Sequence, residues 1–367
     1  MRILYITTIG GTMHFFNSFI QKLVEAGNTV DIAANMADSP VPDCYNEWDC
    51  KLFQISCSRS PMNFGNIKAV NDIKKLVTQT RYDIVHCHTP IAAACTRLAC
   101  IDARKNGTRV IYTAHGFHFY DGAPVKNWAL FYPVEKFLSK WTDVLITINK
   151  EDYKRAVENF SAEKTVYVPG VGVDVDKFSN TIIDVKTKRM EIGVPEDVFL
   201  LLSVGELNIN KNHQIVLKAL AHLNDKTIHY VIAGQGDQNS SLTALAKQLG
   251  IEKQVHLLGF RKDVAELYKA ADVYLLPSLR EGLNVSVIEA MSSRLPCIVS
   301  DIRGNRDLID DEKGGFLVEP LDYKSFAEKV ELVKKGQKDY GLYNSRKANE
   351  FSVTRVNDKM FELYSFV

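Results

Sequence analysis

No stretch of the 367-residue sequence reaches the roughly 18 unbroken apolar residues that mark a membrane span. The opening run Met1–Ile6 is too short for a signal peptide and gives way to a loop at Gly10. A cytoplasmic protein is expected, with peripheral contact at the inner face of the cell membrane left open. The seven cysteines (44, 50, 57, 87, 95, 100 and 297) are odd in number, scattered and without a Cys-x-x-Cys pair. That excludes a disulfide framework and fits buried free thiols in a reducing compartment. Net charge is almost absent, 45 Lys+Arg against 44 Asp+Glu, so bulk electrostatics argues for no nucleic-acid partner. Several chemical signatures are missing as well. No Gly-x-Ser-x-Gly elbow supports a hydrolase triad. The run Gly205–Lys211 lacks the glycine spacing and terminal Ser/Thr of a Walker A loop. Gly10-Gly11 falls short of a complete Gly-x-Gly-x-x-Gly fingerprint, and a tight turn explains it equally well.

What is present is a regular alternation of strand and helix signals. A chain this long exceeds one hydrophobic core, and two α/β domains are expected. Apolar Ile3–Thr8 reads as a strand, and Phe15, Phe16, Phe19, Ile20, Leu23 and Val24 then recur at helical spacing. Further strands are predicted at 51–55, 83–87, 110–113, 143–148 and 165–168. Helices fall between them at 66–79, 90–104, 124–140 and 150–159, with Pro90 in the first turn of its helix. Pro169-Gly170-Val171-Gly172 marks a domain boundary. Residues 174–196, polar and mixed in sign, read as surface crossover. Strands at 197–204, 227–233, 255–259, 272–276 and 296–300, each followed or preceded by a helix, indicate a second parallel sheet covered on both faces. The tail from 322 to 365 is mostly helical.

The most suggestive stretch is Glu281–Glu289, between the strands at 272–276 and 296–300. It opens a helix, with Asn284 or Ser286 as cap. Unpaired N–H groups at a helix start favour an anion, and the flanking carboxylates would accept hydroxyl hydrogen bonds. A ligand that is part phosphate and part polyol fits; so does an ordinary capped helix with an acidic surface. Lys211, opening the helix after strand 197–204, can meet a diphosphate as a point charge. Arg261 follows strand 255–259 at the same sheet edge. In the first half, His86, His88, His115 and His118 invite a metal, but His86 and His88 are read as facing opposite sides of a strand end, and no metal is expected. His115, directly after its strand, is the best placed to donate a hydrogen bond to a hydroxyl or phosphate. Phe117, His118 and Phe119 would form an aromatic acceptor wall.

The run Glu281–Glu289 resembles the E-x7-E motif of retaining GT-B glycosyltransferases of family 4. The resemblance extends over nearly the whole chain and includes Gly10-Gly11, His115-Gly116, the crossing segment Val168–Phe178 and Lys211. It implies two doubly wound Rossmann-like domains facing a deep interdomain cleft. The acceptor-side domain would span 1–170 and the donor domain 171–350, with 351–367 packing back toward the first domain. It implies a nucleotide-sugar donor, UDP-linked, with no metal and no permanently bound cofactor. Glu281 would contact donor hydroxyls; Gly282, Leu283 and Asn284 would bring N–H groups to sugar and diphosphate; Glu289 would hold the ribose. Lys211 would meet the leaving diphosphate, Gly10 and Gly11 would approach it, and His115 would sit near the transferred hexose or N-acetylhexosamine. Many family members carry arginine where this chain has Glu206. Either Arg261 supplies the missing charge or Glu206 orients Lys211. Asp83–Pro90 and Arg59-Ser60-Pro61 are similar to enzymes that build bacterial capsular, exopolysaccharide or lipid-linked glycans on polyprenyl-diphosphate sugars. Arg59, Lys68 and the aromatic segment 128–137 would meet phosphate and lipid. The competing readings are a non-hydrolysing sugar-nucleotide epimerase and a non-catalytic sugar-nucleotide-binding subunit.

Overall fold

The computed structural model describes residues 1–365 except Asp38 and Gln337; Phe366 and Val367, the end of the expected terminal segment, lie outside the described residues. The chain forms two units, one of Met1–Val171 completed by residues from Val356 onward, the other of Gly172–Arg355.

In the first unit the strands are β1 (Arg2–Ile9), β2 (Thr29–Asn35), β3 (Leu52–Gln54), β4 (Ile84–His88), β5 (Arg109–Ala114), β6 (Val144–Thr147) and β7 (Lys164–Tyr167). They form one parallel sheet in the order β3-β2-β1-β4-β5-β6-β7. The second unit holds β8 (Phe199–Val204), β9 (Ile228–Ala233), β10 (Val255–Gly259), β11 (Val273–Leu276), β12 (Cys297–Ser300) and β13 (Gly315–Val318), also parallel, in the order β10-β9-β8-β11-β12-β13. The expected pair of doubly wound sheets is therefore present.

The physical reason is burial on both faces. Leu4 and Ile6 enter one hydrophobic core of the first unit, while Ile3 and Tyr5 enter the other. Leu200 and Leu202 likewise separate from Leu201 in the second unit. Strands with no wet side read as unbroken apolar runs, and their helical crossovers cover both faces. In each sheet the strand order reverses once, between β1 and β4 and between β8 and β11. The loops leaving the C-terminal ends of those strands diverge there and leave room for a ligand.

Two local expectations change. The helix read over 90–104 is two helices, Pro90–Ala99 and Ile101–Lys105, broken where Cys100 leaves helical geometry at φ −90°, ψ 4°. The segment 174–196 is not plain surface crossover. It folds as helices Val175–Asn180 and Val185–Glu191, and Lys188 and Arg189 are buried. The Arg189 guanidinium donates to the carbonyls of Ala270, Glu196 and Val198 and to the Asp272 carboxylate at 2.8–2.9 Å. Carbonyls buried at strand entries require donors, and one guanidinium supplies several. Among the described residues no helix is long and apolar enough to cross a membrane.

Candidate active site

The second unit brings three loops together at its switch point. The loop after β8 carries Gly205–Lys211, the loop after β11 carries Pro277–Asn284, and the loop after β12 carries Arg303 and Gly304. Lys211 Nζ and Glu281 Oε1 meet at 2.8 Å, each side chain largely shielded from solvent. The turn that carries Lys211 is built by Asn208, whose Oδ1 accepts from the Lys211 N–H at 2.9 Å. Asn208 Nδ2 in turn donates to Glu206 Oε2 at 2.9 Å. Glu206 is thus tied to the turn that presents the lysine.

The loop bearing Glu281 is pinned on two sides. Asn210 accepts from the Leu279 N–H through its carbonyl at 2.8 Å, and its Nδ2 donates to the Arg280 carbonyl at 2.9 Å. On the other side Arg303 Nε donates to the Glu281 carbonyl at 3.2 Å. Gly304, at φ +79°, lies beneath Gly282: a Cβ there would stand 2.3 Å from the Gly282 carbonyl oxygen. No side chain fits in that gap, which explains the glycine.

Helix Val285–Ser292 is capped by Asn284. Its Oδ1 accepts from the Ser286 N–H at 2.9 Å, the Val287 N–H at 3.4 Å and the Ser286 hydroxyl at 2.6 Å. Two N–H groups of the first turn are therefore occupied by the cap, as in the ordinary capped helix that the sequence also allowed. Leu283 packs on the unit's core. Tyr274 bonds Ser286 Oγ at 2.6 Å, and Tyr268 donates to the Ser286 carbonyl and to Glu289 Oε2 at 3.1 and 2.9 Å. Burial pushes the Glu289 carboxyl up to about 7, against the opposing pull of the Tyr268 hydroxyl and Lys177. Arg261 does not join this group. Its guanidinium pairs with Glu191 at 2.6 Å and with Asp263 at 2.5 Å. Lys188 closes the same cluster through Glu191, Asp263 and Glu266. The three carboxylates lie close enough for a cation, but lysine and arginine already balance them.

In the first unit, Gly10 and Gly11 open a 3-10 helix, Gly10–Phe16, that runs into helix Asn17–Glu25. A Cβ on Gly10 would stand 2.5 Å from the Ser39 carbonyl oxygen, and one on Gly11 2.3 Å from Ser39 Oγ. Close approach of the chain's own backbone accounts for Gly10, and the Ser39 side chain fills the space beside Gly11. At the switch point Thr8 Oγ1 and Thr89 Oγ1 are 2.6 Å apart, and Thr89 holds φ +66°, a costly backbone for a β-branched residue.

The histidine expectation needs correction. Residues two apart on a strand share a face, and His86 and His88 do so, with ring centroids 4.2 Å apart. His86 uses both nitrogens, toward Tyr364 OH at 2.5 Å and Thr113 Oγ1 at 2.8 Å. His88 Nδ1 lies 3.0 Å from His115 Nε2. Burial holds the His115 imidazole down to about 4 and those of His86 and His88 well below their usual value, so all three are neutral near pH 7. The expected aromatic wall is also absent. Phe117 and Phe119 are buried and stack on each other with centroids 4.8 Å apart, filling the core beside Phe160. His118 instead stacks on Phe131 at 4.5 Å.

Over 373 aligned residues, 99% of this chain and 96% of its relative, the sequence is 38% identical to EpsD of Bacillus subtilis (strain 168), a protein named as a glycosyltransferase. The chain belongs to the GT4-like glycosyltransferases. The family model "Glycosyl transferase 4-like" matches residues 2–149 of the enzyme and "Glycosyl transferases group 1" matches residues 184–349. The enzyme is 32% identical, over 89% of its own chain and 86% of the other, to the UDP-Gal:alpha-D-GlcNAc-diphosphoundecaprenol alpha-1,3-galactosyltransferase of Escherichia coli. Its fold matches that of HepE from Anabaena, solved with UDP, at a TM-score of 0.82 and 19% identity over 100% of both chains. Two Rossmann-like parallel sheets in one such chain make the glycosyltransferase a GT-B fold.

Several residues that build this candidate site escaped sequence reasoning. Asn208 had a signal: an Asn three residues before Lys211 is the spacing of a side-chain cap. Asn210, Arg303 and Tyr268 had none, because only the fold brings them to Arg280, Glu281 and Glu289 respectively.

Proposed function

We propose that this glycosyltransferase is retaining and metal-independent, and moves a hexose or N-acetylhexosamine from a UDP-sugar to a hydroxyl of a polyprenyl-diphosphate-linked glycan in the synthesis of bacterial surface polysaccharide. The observation that carries the reading is the Lys211–Glu281 pair at the C-terminal edge of β8 and β11. A cation and a carboxylate held together there match the two ends of a sugar diphosphate. Lys211 turns to the leaving diphosphate, and Glu281 accepts hydrogen bonds from the sugar hydroxyls. The bond from the anomeric carbon to the diphosphate oxygen breaks, the bond to the acceptor oxygen forms on the same face, and the acceptor proton goes to the departing phosphate. UDP and a lipid diphosphate are what the name of the E. coli relative specifies, and UDP is what HepE was solved with. A screen of UDP- and GDP-sugars against a lipid-linked saccharide pool, read by mass spectrometry and by the anomeric configuration of the product, tests this. An inverted product, or transfer abolished by chelator, would remove the corresponding part of the reading.

Glu289 yields a pH prediction. Its carboxyl titrates near 7 when folded, against 4.5 ordinarily, so the folded chain keeps a proton that the unfolded chain has released. Its contribution to stability therefore falls as pH rises through that window. Ribose hydroxyls donate to the carboxylate form, so UDP affinity should rise between about pH 6 and about pH 8. Calorimetric titrations of wild type and Glu289→Gln, compared at each pH, cancel the titration of UDP itself. Parallel curves for the two proteins would sink the ribose assignment.

The first unit offers a surface for the lipid. Trp128, Phe131 and Tyr132 of helix Val125–Ser139 pack inward, contrary to the sequence expectation that they face lipid. Its outer face instead exposes Val125, Leu130, Val134 and Phe137 beside Lys126, Lys136 and Lys140, and Lys140 Nζ sits 3.9 Å from the Phe137 ring centroid. Met62, Phe64 and Ile67 stand exposed between Arg59 and Lys68, at the start of helix Gly65–Gln79. Helix Pro90–Ala99 packs against both helices. Apolar side chains with lysines suit an anionic bilayer surface. Replacing Lys136 and Lys140 together with glutamine should weaken binding to anionic vesicles about 10- to 30-fold, at about 1 kcal/mol per lysine. Unchanged co-sedimentation would count against this face.

A further inference from the structure

Buried His86 and His88 and half-buried His115 of the first unit form an ordered set, and only one orientation of their protons leaves the set well satisfied. His86 has both nitrogens engaged. The His88 ring is held between Tyr5, stacked at 5.1 Å, and Phe16, at 4.1 Å. Its Nδ1 faces His115 Nε2 at 3.0 Å, and its Nε2 is buried with no hydrogen-bond partner among the described residues. Between two neutral imidazoles one nitrogen donates and the other accepts, so there are two arrangements. If His115 Nε2 carries the proton, His88 must hold its own on Nε2, as an N–H buried without an acceptor. If His88 Nδ1 carries the proton, His88 Nε2 is a bare lone pair instead. Orphaned buried N–H groups are the rarer and costlier outcome.

We infer that His88 is a positioning residue: it donates from Nδ1 to His115 Nε2 and so fixes His115 as the tautomer with its proton on Nδ1. His115 then presents a donor N–H, and it suits an oxygen acceptor, a sugar hydroxyl or a phosphate oxygen, rather than a group that must give up a proton. His115 is a hydrogen-bond donor to the ligand, not a general base. The consequence for turnover rests on the transfer reading above; the tautomer does not.

The tautomer is read on the full ligand-free chain labelled with 15N-histidine, from two-bond 1H–15N correlations near pH 7. Single His115→Gln and His88→Asn variants assign the signals. His115 is expected in the Nδ1–H form. An Nε2–H pattern for His115 overturns the inference whatever the enzyme transfers. Kinetics give a second, separable test. His88→Asn keeps a donor N–H in the place of Nδ1 and should retain kcat within about 3-fold, whereas His88→Leu, similar in size but without a donor, should lose about 10-fold in kcat with donor KM within about 2-fold. A purely packing role predicts equal losses for the two variants, and that result also overturns the inference. If wild type transfers no sugar, the transfer reading fails while the spectroscopic result stands.

Discussion

Replacing Lys211 with alanine is expected to lower the turnover of sugar transfer about 100- to 1,000-fold, the effect of removing about 3–4 kcal/mol of transition-state stabilisation. Negative charge grows on the diphosphate as the glycosyl bond breaks, and a fixed ammonium is worth most at that moment. The turn built by Asn208 holds Lys211 in place before the substrate arrives, so little reorganisation is needed. UDP affinity should change much less than turnover, since the cation acts on charge that develops during reaction. Glu281 complicates the measurement, because truncating the lysine leaves a shielded carboxylate without its partner. Glu281→Gln and the double variant complete a cycle that separates the two effects. Initial rates, UDP dissociation constants and thermal midpoints should be recorded for all four proteins. A Lys211→Ala enzyme with normal turnover and merely weakened UDP binding would refute the leaving-group role.

The largest effect on stability is expected at Arg97. Its guanidinium is fully buried in helix Pro90–Ala99 and pairs with Glu135 at 2.8 Å, with side-chain exposures of 1% and 7%. It also lies 4.5 Å above the Tyr112 ring and donates to the Ala93 carbonyl at 3.0 Å. Arg97→Ala strands a carboxylate in the core of the first unit and should cost about 3–5 kcal/mol. At about 2–4 °C per kcal/mol for a unit of this size, its melting midpoint falls by roughly 6–20 °C. Removing both charges together is a different experiment. Arg97→Met with Glu135→Leu keeps apolar volume and leaves neither ion alone, so it should recover most of the loss. If the double variant is as unstable as the single one, shape and not charge pairing holds this helix to helix Val125–Ser139.

How much of this was legible beforehand follows from where each residue acts. The strands were readable because both faces of each sheet are buried, which writes runs such as Val273–Leu276 without polar interruption. Lys211 and Glu281 were expected at strand ends, and both stand in loops that follow strands; Lys211, expected to open a helix, instead ends a 3-10 turn, and the helix begins at Gln214. Arg189 was not readable, because a polar segment looks solvated until the carbonyls at 196, 198 and 270 are seen to converge on it. Phe117 and Phe119 misled for the opposite reason: an aromatic pair after a strand end looks like a ligand wall, yet the loop turns them into the core. The charge absent at Glu206 was sought at Arg261, whose own acidic neighbours, Glu191 and Asp263, lie 70 and 2 residues away in sequence. Glu191 comes to it only through the fold.

Tyr364 hydrogen-bonds to His86 and, at 3.2 Å, to Tyr5 on the first strand of the chain. It sits on a helix, Val353–Ser365, whose residues from Val356 onward follow the entire second unit in sequence. During synthesis the ribosome must therefore release all of the second unit before the first can close its own core. Until then the groove awaiting Val356, Met360, Leu363 and Tyr364 lies open beside His86. The unit translated first is the one completed last, and an interrupted chain would lose its histidine cluster while the sheet of the second unit folded normally.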